Sequence, residues 1–253
     1  MPSRRAQPET RRPLSGPRPR HGLARVLSKL GLCSRAEAWR RIEAGLVRVN
    51  GVVCRNPEHP TDILRDRIEC GAAPVTRAER VYLMLNKPRG LVTTTADERG
   101  RPTVFECLKS QDLPRVVPVG RLDQASEGLL LLTNDTDWAA RLTDPASHVE
   151  KEYHVQVAGR FAPDQCRALE VGVTEPDSPE RLRAKRAAIL RFGARNTWLT
   201  VVLEEGRNRH LRRMLAVLGF EVLRLVRVRI GRLVLGDLAK GQFRQVQPED
   251  VGH

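Results

Sequence analysis

Three clusters of residues have the types and spacing that chemistry needs. The first is Gly120-Arg121-Leu122-Asp123, followed by Ser126-Glu127-Gly128 and the run Leu129 to Leu132. It puts a carboxylate in a loop that leads into an apolar strand. Such a carboxylate can act as a nucleophile or a base, and a loop aspartate can equally cap a helix or shape a turn. The second is Lys151-Glu152-Tyr153 at the start of an alternating stretch, with one of only two tyrosines in the chain. The ring of Tyr153 can stack on a planar group and its hydroxyl can exchange a proton, whereas a core aromatic would show the same pattern. The third runs from Glu205 to Met214, where Arg209, Arg212 and Arg213 fall at i, i+3 and i+4 of a helical pattern and Leu211, Leu215 and Leu218 lie on another face. An arginine stripe at a helix N-terminus can bind phosphate or hold a carboxylate ionised, or it is a solvated face. Eight arginines between 207 and 232 make this the densest basic region outside the N-terminus, which favours a functional role.

The elements that must position these clusters are legible from periodicity. Val81–Leu85 and Leu91–Thr95 read as strands around the turn Asn86-Lys87-Pro88-Arg89-Gly90. Thr103 can cap a short helix to Lys109, and Asp135 or Thr136 one to Leu142. Val116–Val119, Leu129–Thr133, Tyr153–Val157 and Trp198–Leu203 are β-like. Arg209–Leu218 is helical. Val222–Ile230 alternates, with Val222, Arg224, Val226, Val228 and Ile230 on one side and Leu223, Leu225, Arg227 and Arg229 on the other. Strands dominate and no regular βαβ rhythm appears, so the expected fold class is mixed α+β around a mainly antiparallel sheet.

Upstream, Leu23, Val26, Leu27 and Leu30 have helical spacing and end at Gly31. Ser34 and Glu37 make a capping-box pattern for a helix over Arg35–Ala44. Val47-Arg48-Val49 then meets Asn50-Gly51 and Val52-Val53, the strongest short hairpin signal. The expected organisation is a disordered Arg/Pro-rich tail over 1–20, a small domain over 21–71, a linker over 72–80 and a larger domain over 81–253. The small domain's helices present Arg25, Lys29, Arg35, Arg40 and Arg41, as phosphate contacts or as solvated faces.

Composition narrows the class of partner. The 253 residues carry a formal charge of +14, with 38 Arg against 6 Lys, and the tail alone holds six Arg and one Glu. A polyanion, nucleic acid first, is the partner such a balance favours, and guanidinium forks suit phosphate. Five cysteines without a C-x-x-C pair argue against a disulfide framework or a zinc knuckle. No apolar run approaches the roughly 18–20 residues of a membrane span, and no membrane partner is expected. A reducing, cytoplasmic setting is expected.

The stretch from Gly22 to Val53, with its S-R-A-E-A core and G-L-V-R-V-N-G ending, resembles the small RNA-binding domain first known from small-subunit ribosomal protein four. The segments G-R-L-D-Q-A-S-E-G-L-L-L-L-T-N-D, K-E-Y-H-V-Q-V-A-G and E-G-R-N-R-H-L-R-R-M-L resemble, in order and spacing, the three signatures of RNA pseudouridine synthases of the RsuA/RluB type. The segments N-K-P-R-G-L-V-T-T-T and L-R-L-V-R-V-R-I-G also fit. Two departures are Thr136, where glycine is common, and His210, where the basic-helix motif usually has glutamine.

The resemblance implies an isomerase that detaches a uracil from its ribose in ribosomal RNA, turns it and rejoins it through C5, without metal or organic cofactor. Large-subunit RNA is favoured over small-subunit RNA, the setting is ribosomal precursor particles, and a monomer is the default. Carried over by position, Asp123 is the catalytic aspartate, Tyr153 the active-site tyrosine and Arg212 the basic residue that pairs with the aspartate. Arg121 helps hold the flipped-out nucleotide. Arg209, Arg213, Lys29, Arg35, Arg40 and Arg41 are expected to contact RNA. His210 reads as structural or RNA-facing, since no Ser or Cys nucleophile accompanies it. The rival expectation is a noncatalytic RNA-binding or ribosome-assembly factor.

Overall fold

The computed structural model describes residues 20–76, 78–95, 97–109, 112–176 and 178–252. The tail expected over 1–20 therefore lies, up to residue 19, outside the described residues. The chain separates into two compact units that divide at Ala78.

The first unit is the expected helix-helix-hairpin. Helix α1 (Leu23–Lys29) buries Leu23, Ala24, Val26 and Leu27, and the chain turns at Gly31 with φ +86°. Helix α2 (Arg35–Glu43) is capped by Ser34, whose hydroxyl accepts from the Glu37 N–H at 3.1 Å. Strands β1 (Val47–Val49) and β2 (Val52–Val53) are joined by Asn50 and Gly51, both at positive φ, as their hairpin turn requires. Strands β3 (Ile68–Cys70) and β4 (Ala73–Pro74) complete a sheet of order β2-β1-β3-β4. Residues 73–74 thus extend the small unit's sheet, where a bare linker was expected.

The second unit is built on a nine-stranded sheet. Its members are β5 (Tyr82–Lys87), β6 (Val117–Val119), β7 (Glu127–Thr133), β8 (Lys151–Ala158), β9 (Arg186–Phe192), β10 (Asn196–Leu203), β11 (Val222–Ile230), β12 (Leu233–Val234) and β13 (Phe243–Gln245). The main path runs β9-β10-β8-β11-β7-β5-β13, with β6 beside β7 and β12 beside β11. Every pairing is antiparallel except β7 with β11. Helices α3 (Thr136–Thr143), α4 (Pro163–Val171) and α5 (His210–Val217) pack on it. The fold is mixed α+β with a mainly antiparallel sheet, as expected from the sequence. Among the described residues no helix is long and apolar enough to cross a membrane.

The leucine run has a direct explanation. Strand β7 is central, so both of its faces are covered. Leu130 and Leu132 join the core with Tyr153, Val155, Leu199 and Leu211, and Leu129 and Leu131 join the opposite core with Trp138, Leu142 and Ile230. A strand buried on both sides reads as a continuous apolar run.

Two local expectations are corrected, and two elements lacked a sequence signal. Leu91–Thr95 is not a strand: it makes one isolated bridge, Val92 to Thr103, and the Thr93 hydroxyl is spent on the 120–123 loop. Strict alternation fails in β11, because its ladder with β8 shifts register between Glu152 and Tyr153 and between Gln156 and Val157. Tyr153–Gln156 pair regularly with Arg227–Arg224, and the shift beyond them puts Val222 opposite Val157, so Val222 packs on the Tyr153 side although regular alternation would place it on the other. Strand β9 and helix α4 had no clear signal, since β9 exposes Leu190 and Phe192 and α4 buries only Cys166 and Leu169.

Candidate active site

The loop carrying Asp123 is tied down from one side by β5 and the segment after it. Lys87, fully buried, donates to the carbonyls of Pro88, Asp123 and Ser126 at 3.1, 3.2 and 2.8 Å. These three bonds use every hydrogen of its ammonium group. Burial pushes this lysine down to about 8. The Gly90 N–H donates to the Gln124 carbonyl at 2.8 Å, and Thr93 Oγ1 donates to the Leu122 carbonyl at 2.7 Å. The N-K-P-R-G-L-V-T segment is thus a clamp on the Asp123 loop rather than a turn between two strands.

The clamped loop opens onto two clefts. One, of about 490 Å³, is lined by Arg121, Asp123, Lys151, Tyr153, His210, Arg212 and Arg227, with Leu131, Leu203 and Leu225 among its apolar walls. The other, of about 840 Å³, is lined by Arg89, Arg99, Arg101 and Gln124, and it shares Arg121, Asp123 and Arg209 with the first. The Asp123 side chain stands where they meet and is 38% exposed. The aspartate is therefore not sealed by the protein alone.

The residues of the three sequence clusters converge here. Tyr153, on β8, is buried and faces the first cleft. Arg209 forms the ion pair with Asp123, Nη1 to Oδ2 at 3.9 Å. Arg212, expected to be that partner, sends Nη2 to the Ala125 carbonyl and Nη1 to the Val222 carbonyl, each at 3.3 Å. Its guanidinium is half-buried, spends both Nη groups on the carbonyls in reach and leaves Nε buried without a hydrogen-bond partner. It holds the far end of the Asp123 loop by the main chain and acts on the carboxylate through space. Burial and the neighbouring Arg209 lower its affinity for its proton, and Asp123 opposes them.

The stripe at the third cluster is not one helical face. Arg209 is the N-cap of α5 in a left-handed conformation, φ +47°, so the helix begins at His210. Arg213 turns away from the cleft into an ion-pair cluster with Glu175 and Glu180, the latter at 2.9 Å. Its expected RNA contact is corrected to a structural tie between α5 and the 175–180 segment. His210 is buried at the cleft with neither ring nitrogen hydrogen-bonded, and burial favours its neutral form.

In the small unit Arg25, Arg35 and Arg40 are exposed. Arg40 and Arg41 both lie on the Glu37 carboxylate, at 2.6 and 2.9 Å, which offsets one of that pair's two charges. Lys29 lies in the last turn of α1 and is partly buried.

Sequence reasoning passed over three cationic side chains: Lys87, Lys151 and Arg227. Lys151 donates to the Val149 carbonyl at 2.9 Å, and burial together with Arg227 pushes it down to about 8. Each sits in a motif that had been noticed, but only the β8–β11 register and the β5 clamp show that they surround Asp123.

The comparisons with known proteins agree with this geometry. The family model for RNA pseudouridylate synthase matches residues 81–217, and that for the S4 domain matches residues 22–62. An uncharacterized RNA pseudouridine synthase of Rickettsia conorii is 36% identical over 232 residues, spanning 89% of this chain and 96% of the relative. One from Mycobacterium tuberculosis is 38% identical over 251 residues, spanning 98% of this chain and 96% of the relative. A solved structure of a pseudouridylate synthase aligns with TM-score 0.62 at 29% identity, covering 91% of this chain and 98% of that one. The matched span holds Asp123, Tyr153 and Arg212 on the walls of one cleft, beneath a second basic one, and the chain belongs to the RNA pseudouridine synthase family, with an S4 RNA-binding domain at its N-terminus.

Proposed function

We propose that this isomerase converts one uridine of large-subunit ribosomal RNA to pseudouridine within ribosomal precursor particles, as a cytoplasmic monomer, with Asp123 as its catalytic carboxylate and no cofactor. The observation that carries this reading is the position of Asp123 at the mouth shared by an apolar-walled cleft and an arginine-lined one. The first is the size of a nucleoside pocket. The second is also lined by Asp97, which holds Arg101, and Glu98, and Arg89, Arg99, Arg121 and Arg209 leave it a positive balance for the flanking phosphates.

A uridine within structured RNA has to leave its stack, at a cost of a few kcal/mol. Arg121, exposed at the rim of both clefts, is placed to occupy the space it leaves. The RNA then covers the open side of Asp123 and excludes the water that would turn transfer into hydrolysis. Arg209 supplies a positive charge 3.9 Å from the Asp123 carboxylate when the RNA covers the site. Tyr153 forms the flat apolar wall against which the base lies and turns. The S4 domain adds affinity for the folded RNA.

Incubation with unmodified large- and small-subunit ribosomal RNA, followed by mapping of pseudouridine, tests the proposal. The expected product is one new pseudouridine in the large-subunit RNA with wild type and none with Asp123→Asn. Identical RNA from both proteins would favour a noncatalytic assembly factor. Modification of the small-subunit RNA alone would overturn the choice of substrate.

A further inference from the structure

The wall of the smaller cleft holds a cation that the steps above do not use. Arg227 stands on β11 opposite Tyr153 of β8, lines the same cleft as Asp123, and is only 4% exposed. Its Nε donates to the Leu129 carbonyl at 2.7 Å, and its Nη2 is buried without a hydrogen-bond partner. Among the described residues it makes no ion pair. A buried guanidinium left unpaired is costly, and one on a side chain that lines a cleft marks a place where a ligand can supply the missing acceptor.

The backbone is arranged to put it there. Strand β7 meets β11 in parallel with Gly128 opposite Arg227. Gly128 adopts φ +99°, and a Cβ on it would lie 2.2 Å from the Arg227 carbonyl oxygen. Only glycine lets β11 approach so closely to the strand that leaves the Asp123 loop. Of the other guanidiniums on this cleft, Arg212 keeps both Nη groups on carbonyls and leaves only its Nε unpartnered, Arg209 faces Asp123, and Arg121 is exposed at the rim.

The chemistry of the transfer names the acceptor. When the C1′–N1 bond breaks, its electron pair goes to the base, and the detached uracil is an anion with charge on N1 and its carbonyl oxygens. We propose that Arg227 is a further catalytic residue of this enzyme, its guanidinium donating to a carbonyl oxygen of the detached uracil and holding it as an anion while it turns. Arg227 gives up no proton. When C5 bonds to C1′, the electron pair returns to the sugar, the C5 proton leaves to water and N1 takes one up, so the isomerisation balances. The inference rests on the pseudouridine-forming reading above.

The test compares wild type, Arg227→Gln and Arg227→Lys in single-turnover reactions on two RNAs, one with uridine and one with 5-fluorouridine at the mapped site. Disappearance of the nucleoside is followed by mass spectrometry. Fluorine makes the base more acidic, so its anion needs less help. Removing a donor aimed at developing charge costs about 100-fold, and that is the loss expected for Arg227→Gln on uridine RNA, with RNA affinity within about 3-fold of wild type. On 5-fluorouridine RNA the loss should shrink to about 10-fold or less, and Arg227→Lys should recover part of the rate. An equal loss on both RNAs would show that Arg227 merely holds β7 to β11, and a wild-type rate for Arg227→Gln would overturn the proposal outright. Should Arg227→Gln fail to give a cooperative melt, the same pair of RNAs is read on Arg227→Lys, with a smaller loss that must also shrink. An inactive wild type would sink the pseudouridine reading instead, which keeps the two failures apart.

Discussion

The parallel joint between β7 and β11 gives the sharpest structural prediction. Gly128→Ala adds a methyl group 2.2, 2.8 and 3.0 Å from the O, N and C atoms of Arg227, all main chain. None of these can swing aside, so the strands must part by about 1 Å to reach ordinary contact. A non-glycine residue at φ +99° adds about 1–2 kcal/mol of backbone strain. Parting the strands weakens one or two ladder hydrogen bonds at about 1 kcal/mol each and opens a gap in the core around Leu129. The sum is about 3–5 kcal/mol. A unit of this size loses roughly 2–4 °C per kcal/mol, so the melting temperature should fall by about 6–20 °C. Gly159→Ala is the control, because Gly159 has φ +81° with nothing within 4 Å of the added Cβ, leaving only the strain of about 1–2 kcal/mol. Melting followed by tryptophan fluorescence reads both, since Trp138 and Trp198 lie in the larger unit. If the two variants melt within about 1 °C of each other, the close approach of β7 and β11 is refuted. Gly128→Ala should also lose about 100-fold in pseudouridine formation, the effect of moving catalytic groups by about 1 Å.

Other predictions follow from single contacts. Arg212→Ala frees the carbonyls of Ala125 and Val222 and should cost about 100-fold in turnover with little loss of RNA affinity; filter binding beside the activity assay checks the split, and equal losses would make Arg212 a phosphate contact. Lys87 and Lys151 titrate near 8 in the folded protein against 10.5 ordinarily, so between those values the unfolded chain binds more protons and unfolding free energy rises with pH. Denaturant titrations at pH 7.5 and 9 should show Lys151→Met gaining less stability over that interval than wild type, and parallel behaviour would contradict the burial of the ammonium. Glu127, buried and held by Arg224 at 3.0 Å and Lys240 at 2.5 Å, has its carboxyl below the usual range because these bonds outweigh its burial. Its contribution is present above about pH 4.5 and lost as the pH falls through the folded value. Glu127→Gln should cost about 1–3 kcal/mol at pH 7, and the difference should vanish in acid.

The sequence by itself determined the elements whose signal is local. The Asn50-Gly51 hairpin, the Ser34 cap, the Thr103 and Asp135 caps and the doubly buried leucine strand are all written in neighbouring residues, because turn geometry, capping and strand burial depend on short-range sterics and periodicity. Motif order pointed to Asp123, Tyr153 and Arg212, and the fold brings them to one cleft. Only the tertiary structure decided which cation sits on which acceptor. Arg209 takes the carboxylate and Arg212 the loop carbonyls, because a single residue, Arg209, leaves the helix through a left-handed turn. Arg213, one residue along, meets Glu175 and Glu180 from a segment more than thirty positions away in sequence. Arg227 comes opposite Tyr153 through the long-range pairing of β11 with β8, which alternation within one strand does not give, and Lys87 reaches Asp123 from a distant strand. Charge pairing and bulge register are settled by the whole sheet closing at once, and no window of sequence contains both partners.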